Sequence, residues 1–213
     1  MLKAASAAIA LQILAWTPAW ACTGQVGASI FQDTFADDSG GWNEDPPIDS
    51  VQPPAFVFAL GQYNFVGSLN QTFNATDGDY CMDVVLPPPI SANNVMGAGI
   101  MFWATDYANF WAAILGDDGS VLLFRQVGGV WSNAIFNVQN AAGFNSAASA
   151  TNSLRVTALN GVITVYLNGN QLRSVKAQAQ APNLSFGILV EDQATAANVP
   201  PVNVTGYSVT AGK

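Results

Sequence analysis

The chain has 213 residues, 50% of them hydrophobic, and a formal net charge of −8 from 14 acidic and 6 basic side chains with no histidine. So few cations on an acidic chain argue against nucleic acid or an anionic membrane surface as partner. The missing histidine removes the Ser-His-Asp triad, histidine-based zinc sites and the commonest general base.

Residues 1–21 read as a signal peptide. Lys3 supplies a positive start, Ala4 to Trp16 is mostly apolar but too short to span a bilayer, and Ala19-Trp20-Ala21 fits a small-x-small cleavage site. An uncleaved anchor and a lipid on Cys22 are the alternatives, the second disfavoured by the bulk of Trp20. Residues 22–213 then form one mature β domain, secreted or periplasmic in a bacterial envelope, with no membrane insertion after signal removal. In that oxidising compartment Cys22 and Cys81 can pair as a disulfide.

Ser29 to Phe35 alternates and reads as an opening strand. Ala36 to Gln52 is polar and turn-rich, a surface loop pinned by Trp42. Phe56 to Leu60 and Tyr63 to Val66 read as a hairpin about Gly61-Gln62. Asp79 to Leu86 is a strand with Tyr80, Met82, Val84 and Leu86 on one face and Asp79, Cys81, Asp83 and Val85 on the other. Pro87-Pro88-Pro89 stops it.

Val95 to Gln126 reads as three strands with turns at Thr105–Ala108 and Gly116–Gly119. A four-residue first turn sets Trp103 opposite Phe110 and Phe102 opposite Trp111. Both faces of this pair are apolar, as suits the centre of a layered β structure. Gly128-Gly129 turns the chain into Val130 to Val138, and Gln139 to Asn152 is a small-residue loop. Leu154 to Val175 holds two Asn-Gly pairs between alternating runs, the signature of two type I′ hairpin turns. It predicts a three-stranded meander with Val162, Thr164 and Tyr166 on one face and Ile163, Val165 and Leu167 on the other. Leu184 to Glu191 and Val202 to Thr210 close the chain. About a dozen short strands at hairpin spacing, with no helix, predict an all-β fold: a two-sheet antiparallel β-sandwich of jelly-roll type.

In order, FQDTFADDSGGW, GAGIMFWATDYANFWAAIL, DDGSVLLFRQVGGVW, LRVTALNGVITVYLNG and LSFGILVED resemble the concanavalin A-like lectin/glucanase superfamily, near bacterial exported domains of laminin-G-like or keto-disaccharide-hydrolase-like type. The resemblance spans nearly the whole mature chain, through turns and core residues. It implies the fold strongly and activity weakly, because lectins, carbohydrate-binding modules, protein-binding modules and glycoside hydrolases all share it. Its glucanases carry Glu-x-Asp-x-Glu on one strand, and this sequence has no such pattern.

Among chemical groups, Asp79 and Asp83 share a strand face but lie about 13 Å apart at 3.3 Å per residue, too far for either glycosidase geometry. They read as solvated edge carboxylates. Trp103, Phe110, Trp111 and Trp131 gather in one segment with Arg125 and Asp106. A pyranose offers an apolar C–H face and polar edges, so exposed rings flanked by hydrogen-bonding groups suit it. Trp103 and Phe110 are the favoured stacking pair, with Arg125 positioned for ring hydroxyls or a uronate carboxylate; the alternative is that each of these rings belongs to the core. Calcium is the one ion that Asp33, Asp106, Asp117 and Asp118 could hold, and no other cofactor is implied. The leading expectation is a non-catalytic module for a glycan or polysaccharide. The alternatives are a glycoside hydrolase of the same superfamily and a protein-binding or structural envelope module.

Overall fold

The computed structural model describes residues 22–61, 65–89, 95–178, 184–192 and 200–212. The signal-peptide reading of residues 1–21 lies outside them. The hairpin expected about Gly61-Gln62 does not form, because Ala55–Phe58 and Phe65–Leu69 join different sheets, the first pairing with Val202–Thr210 and the second with Ser185–Asp192. Among the described residues there are fifteen strands and no helix: β1 (Ser29–Asp33), β2 (Asp49–Gln52), β3 (Ala55–Phe58), β4 (Phe65–Leu69), β5 (Gly78–Val85), β6 (Met96–Asp106), β7 (Asn109–Gly116), β8 (Val121–Val127), β9 (Val130–Trp131), β10 (Phe136–Val138), β11 (Thr151–Leu159), β12 (Val162–Leu167), β13 (Asn170–Lys176), β14 (Ser185–Asp192) and β15 (Val202–Thr210).

They form two antiparallel sheets. The first runs β13-β12-β11-β5-β15-β3-β2 with β1 on β15, and the second β10-β8-β7-β6-β14-β4 with β9 on β8. Sequence-distant strands are neighbours in both, as in a jelly roll. The predicted sandwich is the fold observed.

The meander forms as its turns dictate. Asn160, Gly161, Asn168 and Gly169 have φ of 50°, 73°, 47° and 80°, the positive values a type I′ turn needs. Ile163, Val165 and Leu167 are fully buried. They face Phe102, Trp111, Ile188 and Phe186 of the second sheet in one apolar core.

The first sheet's other face is polar, and the N-terminal segment closes over it. Cys22 is disulfide-bonded to Cys81. Gln25 donates to the carbonyl of Asp79 at 2.6 Å. Arg155 forms a bidentate pair with Asp79, both N–O distances 2.7 Å, and its guanidinium lies 4.7 Å from the Tyr166 ring. Ser153 donates to Asp83. Asp79 and Asp83 are therefore buried and partnered, not solvated edge groups. The ion pair with Arg155 accounts for Asp79 in this central strand, and Asp83 accepts from the Ser153 hydroxyl.

Two further expectations change. The loop expected over Ala36 to Gln52 contains β2, and its Asp49 is buried and accepts from the Asp45 N–H at 2.8 Å. Trp42 does pin that loop, with Nε1 donating to Asp33 at 2.8 Å. The run from Val130 to Val138 breaks into β9 and β10, each paired to β8.

Candidate functional site

β6 and β7 pair with Phe102 opposite Trp111, as expected, but the register slips before the turn. Asp106 is next opposite Asn109, so Trp103, Ala104 and Thr105 stand against Phe110 alone. Trp103 takes the slack with φ of 51°, a conformation unusual for a bulky residue and typical of a bulge. The bulge turns its indole inward. It meets Trp111 edge-on, centroids 5.9 Å apart, and donates to the Thr76 carbonyl. Phe110 points to the opposite face and joins Met101, Ala112 and Ile114. The expected opposition of Trp103 and Phe110 is thus not formed. Both rings are nearly buried, at 3% and 2% exposure.

The slip builds a cavity instead. Trp103, Phe110, Trp111 and Arg125 line one hollow of about 250 Å³ together with Thr105, Asn109, Gln126, Val127 and Leu184. Arg125 follows Val121 and Leu123 on the core-facing side of β8, but it stands where the core ends. Its exposed guanidinium lies 5.6 Å from the Trp111 ring centroid. Four of the six binding candidates converge here.

Asp106 and Trp131 do not. Asp106 holds the β6–β7 turn, accepting from the Ala108 N–H at 2.7 Å and from Asn109 at 2.9 Å, and these bonds hold its pKa below the ordinary value. Trp131 lies on the second sheet's outer face with Phe65, Phe110 and Phe124, its ring 5.6, 5.4 and 5.7 Å from theirs. With the Gln126 amide oriented by its neighbours, its oxygen accepts from Trp131 Nε1 at 3.1 Å and its nitrogen donates to the Tyr107 carbonyl at 2.8 Å.

Phe65 and Trp131 come from opposite margins of that sheet, so its outer face must be concave for them to touch. The floor is glycine-rich. A Cβ on Gly99 would meet the Ala113 carbonyl at 2.5 Å and Ile114 at 2.9 Å, and one on Gly187 would meet Met101 at 2.9 Å. Met101 and Ile114 fold into that space. Phe65 and Phe124 escaped sequence reasoning. They sit far from the Trp103–Arg125 segment or inside an all-apolar run, and only the alternation of Leu122, Phe124 and Gln126 hinted at a face.

The four calcium candidates are scattered. Asp33 accepts from the Phe35 N–H at 2.7 Å and from Trp42, and Asp106 is tied into its turn. Asp118 is exposed and caps the Ser120 N–H at 2.8 Å. Asp117 alone is buried with neither carboxylate oxygen hydrogen-bonded. Elsewhere Asp38, Glu44 and Asp49 stand close enough to interact, and desolvation, then Asp38, push Glu44 upward. Cys22, Cys81 and Asp83 come together, but the two sulfurs are joined to each other, so the group is no metal site.

No protein-family model and no curated protein matches the chain. Solved structures do. The carbohydrate-binding module CBM66 from Bacillus subtilis aligns with TM-score 0.59 at 15% identity over 78% of this chain and 94% of that one. A Bacillus licheniformis beta-glucanase gives 0.60 at 16% identity, over 87% and 99%. The catalytic domain of an endo-1,3-beta-glucanase (laminarinase) from Thermotoga petrophila RKU-1 gives 0.62 at 9% identity, over 89% and 99%. The fold is that of the concanavalin A-like sandwich. At such identities the likeness fixes the architecture and leaves activity to the residues. On the concave face of this sandwich, register places one carboxylate among the described residues, Glu191, opposite Gly97 and Phe65.

Proposed function

We propose that this chain is an exported, non-catalytic glycan-binding module whose site is the hollow between Trp111 and Arg125. The observation that carries the reading is that single cavity: two indoles, the exposed guanidinium of Arg125 and the Thr105 side chain around a space of about 250 Å³. Trp111 is only 9% exposed, so the part of its indole that borders the cavity, beneath the Arg125 guanidinium, offers an apolar contact to the C–H face of a sugar. Arg125 offers a fork of donors to hydroxyls or to a uronate carboxylate. The solved structures of like fold include a carbohydrate-binding module and two glucanases, which supports a glycan as ligand.

The non-catalytic half of the reading is supported by the carboxylates. Glycoside cleavage needs two carboxyl groups about 5–10 Å apart across the bond. Among the described residues, register places one carboxylate, Glu191, on the concave face, and no acid lines the Trp111–Arg125 cavity. A glycan-array screen followed by calorimetry on the strongest hit tests both halves. Arg125→Ala should lose most of the binding at an unchanged melting temperature, and the hit should release no reducing sugar. Steady release would sink the non-catalytic reading, and binding by Arg125→Ala equal to wild type would sink the site.

A further inference from the structure

The hydrogen-bonding groups that the Trp111–Arg125 cavity leaves to a ligand are nearly all of one kind. Asn109 and Gln126 line it, but their amides are spent within the protein. Asn109 donates to Asp106 at 2.9 Å and accepts from the Gly128 N–H at 2.9 Å. Gln126 donates to the Tyr107 carbonyl and accepts from Trp131. The Trp103 indole N–H is given to the Thr76 carbonyl. The Arg125 backbone is closed by Ser132, whose hydroxyl accepts from the Arg125 N–H at 3.1 Å and whose N–H donates to the Arg125 carbonyl at 2.8 Å. That leaves the Arg125 guanidinium, a fork of N–H donors with no acceptor, beside the Trp111 indole and the Thr105 hydroxyl.

The charge balance is one-sided too. The one salt bridge among the described residues joins Arg155 to Asp79, so Arg125 keeps its charge without a carboxylate beside it. No acid lines the cavity. Asp106 stands in the adjoining turn, but its oxygens are taken by the Ala108 N–H and Asn109. Of the 14 acids, Asp33, Asp37, Asp38, Glu44, Asp45 and Asp49 lie in or just before β2. Charges more than a Debye length away, about 8 Å at physiological salt, are largely screened. The net charge of the chain therefore says little about this one hollow. Its free donors suit a negatively charged group that only accepts better than a hydroxyl, which must also donate.

We propose that the ligand of this cavity is an acidic glycan, held at the end of the sandwich through the carboxylate of a uronic acid residue. The inference rests on the glycan-binding reading of the cavity and narrows it. The Arg125 guanidinium lies 5.6 Å from the Trp111 ring centroid. A uronate carries its carboxyl carbon directly on the pyranose ring, so a sugar set against the open part of that indole brings both carboxylate oxygens to the guanidinium. The pair is charge-assisted and bidentate, about twice as strong per bond as a neutral hydrogen bond. A sulfate ester stands one atom further from the ring on a rotatable bond, and ordering it costs entropy.

The test is calorimetry on the purified chain, in EDTA so that no metal bridges two carboxylates. The probes are hexasaccharides of galacturonic, glucuronic and mannuronic acid, each paired with its carboxyl-reduced form, and a sulfated neutral hexasaccharide. At least one uronate should bind about tenfold more tightly than its reduced form. Raising sodium chloride from about 0.02 M to about 0.5 M should remove most of that difference. Arg125→Gln should lose the difference at an unchanged melting temperature, and Arg125→Lys should keep part of it. Arg173→Gln, on the exposed β13, should keep all of it. A reduced or sulfated form that binds as tightly as the uronate overturns the acidic-sugar proposal and leaves the glycan-binding reading standing. A preference that survives in Arg125→Gln overturns it as well. Failure of every probe to bind overturns both the proposal and the reading beneath it.

Discussion

Phe65 and Trp131 stand at opposite margins of the second sheet, yet their rings meet edge to face with centroids 5.6 Å apart. The contact means that the sheet curls until its rims touch over a floor of glycines, Met101 and Ile114. It closes a second, smaller apolar cluster on a face that would otherwise be open.

That contact can be weighed by a double-mutant cycle. Phe65→Ala and Trp131→Ala should each lower stability by about 1–3 kcal/mol, less than for a fully buried ring because both are partly exposed. Their coupling should be about 0.5–1.5 kcal/mol, the range for an edge-to-face pair. Additive losses in urea denaturation would mean that the rims do not meet in solution.

Trp103 and Arg125 line one cavity but should behave in opposite ways. Trp103→Ala removes a buried indole that touches Trp111 and Phe102 and should cost about 3–5 kcal/mol of stability. Arg125→Ala removes an exposed guanidinium and should change stability by less than about 0.5 kcal/mol. Melting curves of the two variants check the assignment of the first as support and the second as ligand contact.

Much of this architecture can be read from local chemistry. The Asn-Gly pairs at 160–161 and 168–169 fix the meander because few sequences tolerate two successive positive φ values. Alternation assigns the faces of β5, β7 and β12 correctly. The site is harder to read, because a bulge leaves no mark in the alternation. Nothing in Phe102-Trp103-Ala104-Thr105 announces that three residues will oppose Phe110, and that slip inverts the direction of Trp103. The burial of Asp79 and Asp83 is also invisible locally, since their cover comes from Cys22 to Gln25, more than fifty residues earlier. Likewise Phe65 joins Trp131 only because the whole sheet curls.

The disulfide joins residues 59 apart in sequence and ties the N-terminal segment across β5. In the chain-entropy treatment, closing a loop of this length stabilises by roughly 4 kcal/mol. Cys22→Ser/Cys81→Ser should lower the urea midpoint accordingly, and it should also loosen the cover over the Arg155–Asp79 pair. Faster hydrogen exchange at Val26, whose N–H faces the Asp79 carboxylate at 3.4 Å, would report the second effect.

Asp117 gives stability a distinctive pH dependence. Desolvation, reinforced by Asp118 and Asp192, raises its pKa from 3.8 to about 6. Between those values the native state holds a proton that the unfolded chain has lost, so this group's contribution falls as pH rises through that window and then levels off. Asp117→Asn should be more stable than wild type above pH 6, by on the order of 2 kcal/mol, and should converge with it near pH 4. Parallel curves at all pH values would show that the carboxyl titrates normally.

The most direct test of the functional reading is a titration of the nitrogen-15-labelled chain with its best glycan ligand, following the indole N–H signals. Trp103 and Trp111 share the cavity, whereas Trp42 and Trp131 lie elsewhere in the fold. If the Trp111–Arg125 cavity is the site, Trp111 and Trp103 shift with saturation while Trp42 and Trp131 stay still, and Arg125→Ala removes the shifts. Movement of Trp131 without Trp111, or no movement of any indole at saturating glycan, would contradict the account.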